Sequence, residues 1–490
     1  MRRIEWPLHV VKRVVIGVLA AVALGILGNL AWGWYESSQA KCGDGVVKRG
    51  EKDECVGVTD GAYHFAGHLA EVEKKIKAEN DRVVKNEGKE PYVSVAYLAS
   101  FTLDNDDSNS ENSVRHELEG AYLAQYRHNR GDLSASPKIR LLIANSGSSS
   151  SEWSHTADEL IARKDSERLV SVVGLGPSTN RNLAALKRFS EAGLATVAST
   201  MTATNIKDIN GFVRVAPTND AEAKAGSAYL KQQKIRSAVV VQDAAESNLY
   251  AKTLGRAFEK EFKDDTHELV ADTMTYDSSV AGAWQNELRY MPGQLCDQKP
   301  QVVYFAGRGR HLSHFLDAIA NRACQKQPFT VLTGDDTTNL TPDELAAAAK
   351  TGVDVLYTGL AHAEMYDKNR KAVSEPSARN FRPGNLLDQW FKNDPRYDGQ
   401  DIMAHDAVLT AAQGIRMASG WKGKVTGPAV ARMFHQMVGN QAVPGASGFI
   451  QFQNTGDPVN KAIPILQLTA DGRSELIAVS SDRGRPTERP

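Results

Sequence analysis

LVSVVGLGPST at residues 169–179, followed by the helical stretch NLAALKRFSEAG at 182–193 and the apolar run LATVAST at 194–200, is the passage that decides the fold. Its opening run is short and almost wholly apolar, and a glycine-rich turn bounds it. Strands buried on both faces read this way, and they belong to parallel sheets whose crossover helices cover each side. The same rhythm extends outward. Upstream lie YVSVAYLA (92–99), a helix around HELEGAYLAQYRHNR (116–130), KIRLLIANSG (138–147) and a helix from Ser154. Downstream come Phe212–Val215, a helix near AEAKAGSAYLKQQ (221–233), SAVVVQD (237–243), a helix from Leu249 to Phe262, QVVYFAG (301–307) and FTVLTGDD (329–336). The count predicts an α/β chain with two doubly wound parallel-sheet lobes.

Length and composition agree. A chain of 490 residues exceeds what one hydrophobic core usually fills. With Lys+Arg 58 against Asp+Glu 59, no polycation stands ready to neutralise a phosphate backbone, so nucleic acid is not an expected partner.

At the N-terminus, Arg2, Arg3, Lys12 and Arg13 precede an uncharged run from Val14 to Tyr35. Its about 22 residues span a bilayer at about 1.5 Å rise per residue. Trp32, Trp34 and Tyr35 close the run as an aromatic belt would, and the basic flank keeps residues 1–13 inside the cell. The expectation is a single-pass anchor at 14–35 in the cell membrane, with the bulk of the chain extracytoplasmic. A cleavable signal peptide is the competing reading, because Ser38-Gln39-Ala40 offers small residues for cleavage. Lys41 before Cys42 argues against a lipidated cysteine.

Export makes disulfides the expected use of the four cysteines, paired locally as Cys42 with Cys55 and Cys296 with Cys324. No CxxC or HxxxH spacing accompanies them, so no metal is expected, and no cofactor either. Residues 36–90 read as a membrane-proximal disulfide loop and a charged spacer or docking helix, AGHLAEVEKKIKAENDRVV, whose weak apolar stripe through Leu69, Val72, Ile76 and Val83 offers a face for packing on the main body. The loop FTLDNDDSNSENSVRHE carries Asp104, Asp106 and Asp107 but lacks the glycine and final glutamate of an EF-hand, and a solvated loop is the plainer reading. Residues 375–399, rich in Pro, Asn, Arg and Gly, break the rhythm as a surface insertion would. Near the end, Asn454-Thr455-Gly456-Asp457-Pro458 sets the turn of a hairpin.

Taken in order, VVGLGPST, GLATVASTMTATN, FVRVAPTND, VVVQDAAESNLYAKTLGRAF, QVVYFAG, TGDD and GASGFIQFQNTGDPVNKAIPIL resemble the branched-chain amino acid binding proteins of the type I periplasmic-binding-protein superfamily. The resemblance covers roughly Tyr92 to Leu468. It implies a clamshell of two lobes joined by three crossovers, placed near Pro217, Leu360 and Gly445. The expected division is lobe 1 at 91–216, lobe 2 at 217–360, a return to lobe 1 at 361–445, a return to lobe 2 at 446–478 and a disordered tail at 479–490. It also implies a small amino acid-like ligand and an ABC permease as partner. The anchor lies outside that plan and keeps a membrane sensor protein open as the alternative partner.

Gly174 to Thr179 lies between a strand and a helix, where backbone N–H groups and the hydroxyls of Ser178 and Thr179 suit an anion. Ser199, Thr200 and Thr202 form a second hydroxyl-rich turn after the next strand, at the end that borders the crevice of a parallel sheet. Helix capping is the plainer role for such hydroxyls. By resemblance, Ser178, Thr200 and Thr202 match positions that bind a carboxylate and amine. Asp335 or Asp336 matches the acid that takes the ammonium, and Tyr250 an aromatic that covers the ligand. The enzyme signatures fail: GASGF has the wrong spacing for a nucleophile elbow, HELEG at His116 lacks a second histidine, and Gly307-Arg308-Gly309 falls short of a dinucleotide fingerprint. No catalytic residue is expected.

Overall fold

The computed structural model describes residues 40–104, 107–340, 353–392, 394–420, 424–469 and 473–488, with Pro7, Lys12, Arg13, Ile16 and Leu19 before them. The expected anchor at 14–35 lies almost wholly outside these residues. Among the described residues no helix is long and apolar enough to cross a membrane.

Two sheets organise the chain. The parallel part of the first runs Lys138–Asn145, Tyr92–Ala99, Leu169–Gly174, Ala195–Ala198 and Phe212–Arg214 from one side to the other. In the second, Glu268–Leu269, Ser237–Asp243, Val302–Ala306, Thr330–Thr333 and Asp354–Thr358 are parallel, and the hairpin Ile463–Leu468 with Ser474–Ser480 adds antiparallel at the far edge. Numbered by appearance within each lobe, both parallel sets read 2-1-3-4-5, the doubly wound order whose crevice opens beside its first strand at the carboxyl ends. Val95, Tyr97, Val172, Val173, Val197, Val239, Val303 and Val331 are all buried, as double coverage by helices requires.

Each crossover helix starts where its sequence supplies a cap. Thr179 Oγ1 accepts from the Asn182 amide at 3.2 Å to open Asn180–Glu191, Thr218 does the same for Asn219–Gln232, and Asn248 for Leu249–Phe262.

The chain passes between lobes three times: between Arg214 and Asn219, between Thr358 and Met365, and between Pro458 and Ile463. The third passage is later than the expected Gly445. Phe452 packs near Phe434 at 6.4 Å, and the turn at Thr455-Gly456 is tied to the first sheet by the Asp208 and Arg214 amides. The Asn454–Pro458 turn does form, with Phe452 opposite Pro458, yet its two arms then pair in different sheets. On its return to the first lobe, helix Gln400–Ser419 lies along Glu111–Arg130. A Cβ on Gly120 would sit 1.8 Å from the Asp401 carbonyl oxygen, so only glycine permits this approach.

Three segments depart from expectation. Residues 41–85 are part of the first lobe rather than a spacer. Lys41–Gly43, Val46–Arg49 and Glu54–Thr59 form an antiparallel meander that extends the first sheet by pairing Glu54–Thr59 antiparallel with Lys138–Asn145, and the disulfides Cys42–Cys55 and Cys296–Cys324 are both formed. Helix Ala70–Lys85 buries its Val72, Ile76 and Val83 stripe, and its Asn80 side chain exchanges two hydrogen bonds with the Leu141 backbone at 2.7 and 2.8 Å. Next, the stretch expected as a surface insertion pins helix Glu111–Arg130. Trp390 lies 5.2 Å from Tyr122 and 4.9 Å from Tyr126, and Asp394 takes both Arg115 nitrogens at 2.9 and 2.6 Å. Finally, the tail is docked: Asn460 donates to the Arg485 carbonyl at 2.7 Å and accepts from the Thr487 amide.

Candidate functional site

The carboxyl ends of both sheets face one another across a cleft. In the first lobe the strand Leu169–Gly174 leaves the sheet through three consecutive left-handed residues, Gly174, Leu175 and Gly176, with φ of 89°, 71° and 68°. Holding a leucine there costs about 1–3 kcal/mol, a strain typical of ligand clamps. The turn delivers Ser178 and Thr179 to the cleft. Ser178 Oγ accepts from the Thr202 and Ala203 amides at 3.0 Å each, and so welds this loop to the turn after Ala195–Ala198. Ser199 Oγ bonds the Gly174 carbonyl at 3.3 Å, Thr202 accepts the Asn219 amide at 2.7 Å through its own carbonyl, and Thr179 caps its helix. Thr200 is half-exposed and makes no hydrogen bond among the described residues. Three of the five predicted hydroxyls, those of Ser178, Thr179 and Ser199, therefore brace the rim, Thr202 does so through its backbone alone, and Thr200 is the half-exposed one of the two whose hydroxyls have no partner among the described residues.

The second lobe presents charge. Asp335 and Asp336 begin a short 3-10 turn where the strand Thr330–Thr333 ends, and both are buried. They differ in what they hold. Asp336 Oδ2 accepts the Gly309 amide at 2.7 Å, and its Oδ1 pairs with Arg308 at 3.2 Å and accepts from Asn339 at 3.3 Å. The Tyr250 hydroxyl accepts from the Asp336 amide at 3.4 Å, and Asp335 leaves Oδ1 without a donor among the described residues. Burial, then the Asp336 charge, pushes Asp335 far above the ordinary carboxylate range. Tyr250 is itself buried, its ring beneath the Arg308 guanidinium at 4.9 Å.

Arg308 was visible in the sequence only as part of a failed dinucleotide motif. Here it crosses the cleft: one nitrogen donates to the Ser178 carbonyl at 3.0 Å while another holds Asp336. Further contacts bridge the lobes among the described residues, including the Thr179–Asn248 backbone bridge, Gln400 Nε2 to Asn339 Oδ1 at 3.2 Å and, nearer the first passage, Thr204 Oγ1 to Asp220 Oδ1 at 2.9 Å. The lobes are thus closed on one another.

Sequence reasoning also missed what surrounds His116. Its ring lies between Asp398 at 2.6 Å and Asp394 at 3.1 Å. Burial opposes its charge, yet the two carboxylates hold its pKa up to about 10. Glu117 beside it bonds the Tyr97 hydroxyl at 2.6 Å, and burial lifts that carboxyl to about 7. The histidine of the failed HELEG motif takes its structural role from partner acids about 280 positions away.

The sequence pattern of the receptor family ligand binding region matches residues 116–471, well over half of the chain and all of the rim residues above. The chain belongs to this family. Among solved structures it is similar to a leucine-binding protein from Thermotoga maritima, with 18% identity over 79% of this chain and 98% of that one and a TM-score of 0.61. It is also similar to a branched-chain amino acid transporter substrate-binding protein from Streptococcus pneumoniae in complex with isoleucine (16% identity, 80% and 99% coverage, TM-score 0.60). A third is a solute-binding protein of an ABC transporter from R. palustris in complex with benzoate (17%, 80% and 96%, TM-score 0.58). At such identities the likeness carries the fold, and the resemblance read from VVGLGPST onward is borne out at that level. No curated protein matched the sequence. The family is one of ligand-binding regions and the neighbours are substrate-binding proteins, not enzymes.

Proposed function

We propose that this chain captures a small, amine-bearing polar metabolite, amino acid-like in form, by closing its two lobes, and that it serves an ABC importer from the outer face of the cell membrane. One observation carries the reading: an acid with an undonated buried oxygen, Asp335, stands across the cleft from a strained turn with a free hydroxyl beside it. A carboxylate fits the side of the Thr200 hydroxyl, and an ammonium fits the acid, since burying either charge unpaired costs several kcal/mol. The neighbours bound to isoleucine and to benzoate share a carboxylate and differ in the amine. The acids here favour the amine. Asp335 is the counter-charge, Thr200 contacts the ligand, Tyr250 and Arg308 cover it, and Ser178, Thr179, Ser199, Thr202 and Asp336 hold the walls.

The basic flank and apolar run at 14–35 support an anchor that keeps the lobes at the membrane. That same anchor favours a second reading, a ligand sensor that reports closure to a membrane partner.

A thermal-shift screen of the full chain in detergent against amino acids, polyamines and aromatic acids tests the ligand class. A ligand at 100 times its Kd adds about 2.7 kcal/mol. Amine-bearing carboxylates should raise Tm, and Asp335→Asn should abolish those shifts. Hits confined to aromatic acids, or amine hits that survive Asp335→Asn, would contradict the assignment.

A further inference from the structure

Glu222 and Asp335 come from separate elements, the first turn of helix Asn219–Gln232 and the end of strand Thr330–Thr333, and their carboxyl groups meet beneath Tyr250. Glu222 is wholly enclosed and Asp335 is 7% exposed. The donors around them are few. Thr358 Oγ1 serves Glu222 Oε2 at 2.8 Å and the Asp335 amide faces the same carboxyl, while Glu222 Oε1 and Asp335 Oδ1 have no hydrogen-bond partner among the described residues. The other groups facing the pair are the Tyr304 hydroxyl, the Asp336 carboxylate and the Arg308 guanidinium, and Arg308 is already committed to Asp336 and the Ser178 carbonyl.

Ionised carboxylates only accept hydrogen bonds. Two in contact, out of water and without their own cation, cannot both stay charged, and a proton between them resolves the conflict. We propose that Glu222 and Asp335 share a single proton in the ligand-free protein and release it to solvent when the ligand's ammonium group takes its place. This rests on the amine reading above and adds its regulation. Before binding, one carboxylic acid faces one carboxylate. Afterwards two carboxylates face one ammonium, and one proton has left. Burial raises both groups, with the charge of Asp335 adding for Glu222 and that of Asp336 for Asp335, which stands at about 8. Affinity for an amine therefore rises with pH toward 8.

Calorimetric titration of the full chain at pH 7 in phosphate and in Tris, with L-leucine, L-lysine and putrescine as probes, reads the proton directly. Wild type should release about one proton per amine bound, so its binding heats differ between the buffers. Glu222→Gln supplies a permanent donor to Asp335 and should bind with equal heats. An amine that binds wild type with equal heats in both buffers overturns the proposal.

If none of the probes binds, the amine reading fails and displacement fails with it, but the shared proton is still judged by melting without ligand. Acids whose folded pKa is raised stabilise the fold at low pH and lose that contribution as pH rises through the folded value. Wild-type Tm should then fall more steeply than that of Glu222→Gln between pH 5 and 8.5. Parallel curves would show that no proton is shared.

Discussion

The two lobes repeat one strand order and place opposite chemistry at the ends of their strands. The first ends in hydroxyls and bent backbone: the Ser178, Thr179 and Ser199 hydroxyls and the Thr202 carbonyl satisfy backbone groups of neighbouring turns. The second ends in buried charge, with Asp335, Asp336, Arg308 and Glu222 within one small region. The first rim can be rigid before a ligand arrives, because the Ser178, Thr179 and Ser199 hydroxyls already have partners and the buried Arg214, paired with Asp457, holds the Met201 and Ala203 carbonyls of the second turn. A charged rim is left with a conflict that a cation or a proton resolves. The fold therefore does not fix the site, and on the reading proposed above the contrast between rims would select a ligand with two unlike ends.

Substitutions on the two rims should separate accordingly. The largest effect is expected at Asp336. Asp336→Ala leaves Arg308 buried without its counter-charge and the Gly309 amide without an acceptor. The expected cost is about 3–5 kcal/mol, read from the urea midpoint of the full chain. A cost below about 1 kcal/mol would mean that the guanidinium swings to water, and the contrast between rims would weaken. Ser178→Ala comes next. It removes one acceptor from two buried amides and should cost about 1–3 kcal/mol by the same measurement. If it leaves stability intact, the hydroxyl is not the weld between the two first-lobe turns. Thr200→Ala should be smallest in stability, within about 0.5 kcal/mol, with its effect confined to ligand affinity. A large loss of stability there would sharpen the comparison differently, by making the first rim wholly structural.

Much of the fold was legible because buried parallel strands such as LVSVV and QVVYFA announce themselves as short apolar runs. The Asn180, Asn219 and Leu249 helices were legible because their caps and apolar stripes are local. Residues 41–85 were not. CGDGVVKRGEKDEC is polar enough to read as a loop, and only its pairing across to Lys138–Asn145 makes it sheet. Helix Ala70–Lys85 hides the buried Asn80, Glu73 and Glu79 in a composition that reads as solvated. The site was half visible. Asp335 and Tyr250 came from the resemblance, and Gly174–Thr179 from its place between strand and helix. Arg308 gave a faint signal, a charged residue between two glycines after a strand. Glu222 gave none, since an acid in a helix's first turn ordinarily just answers the dipole. Only the topology sets it beside Asp335, 113 positions later in the chain.

Closure of the cleft around a ligand is the claim from which the rest follows. Spin labels at Lys187→Cys and Glu246→Cys, exposed on opposite lobes, report the inter-lobe distance by pulsed resonance. With the amine that most raises Tm, the short-distance population should grow, and Arg308→Ala, which lacks the bond to the Ser178 carbonyl, should shift the ligand-free ensemble toward longer distances. Distributions that stay the same with every ligand that binds, and with Arg308→Ala, would contradict it.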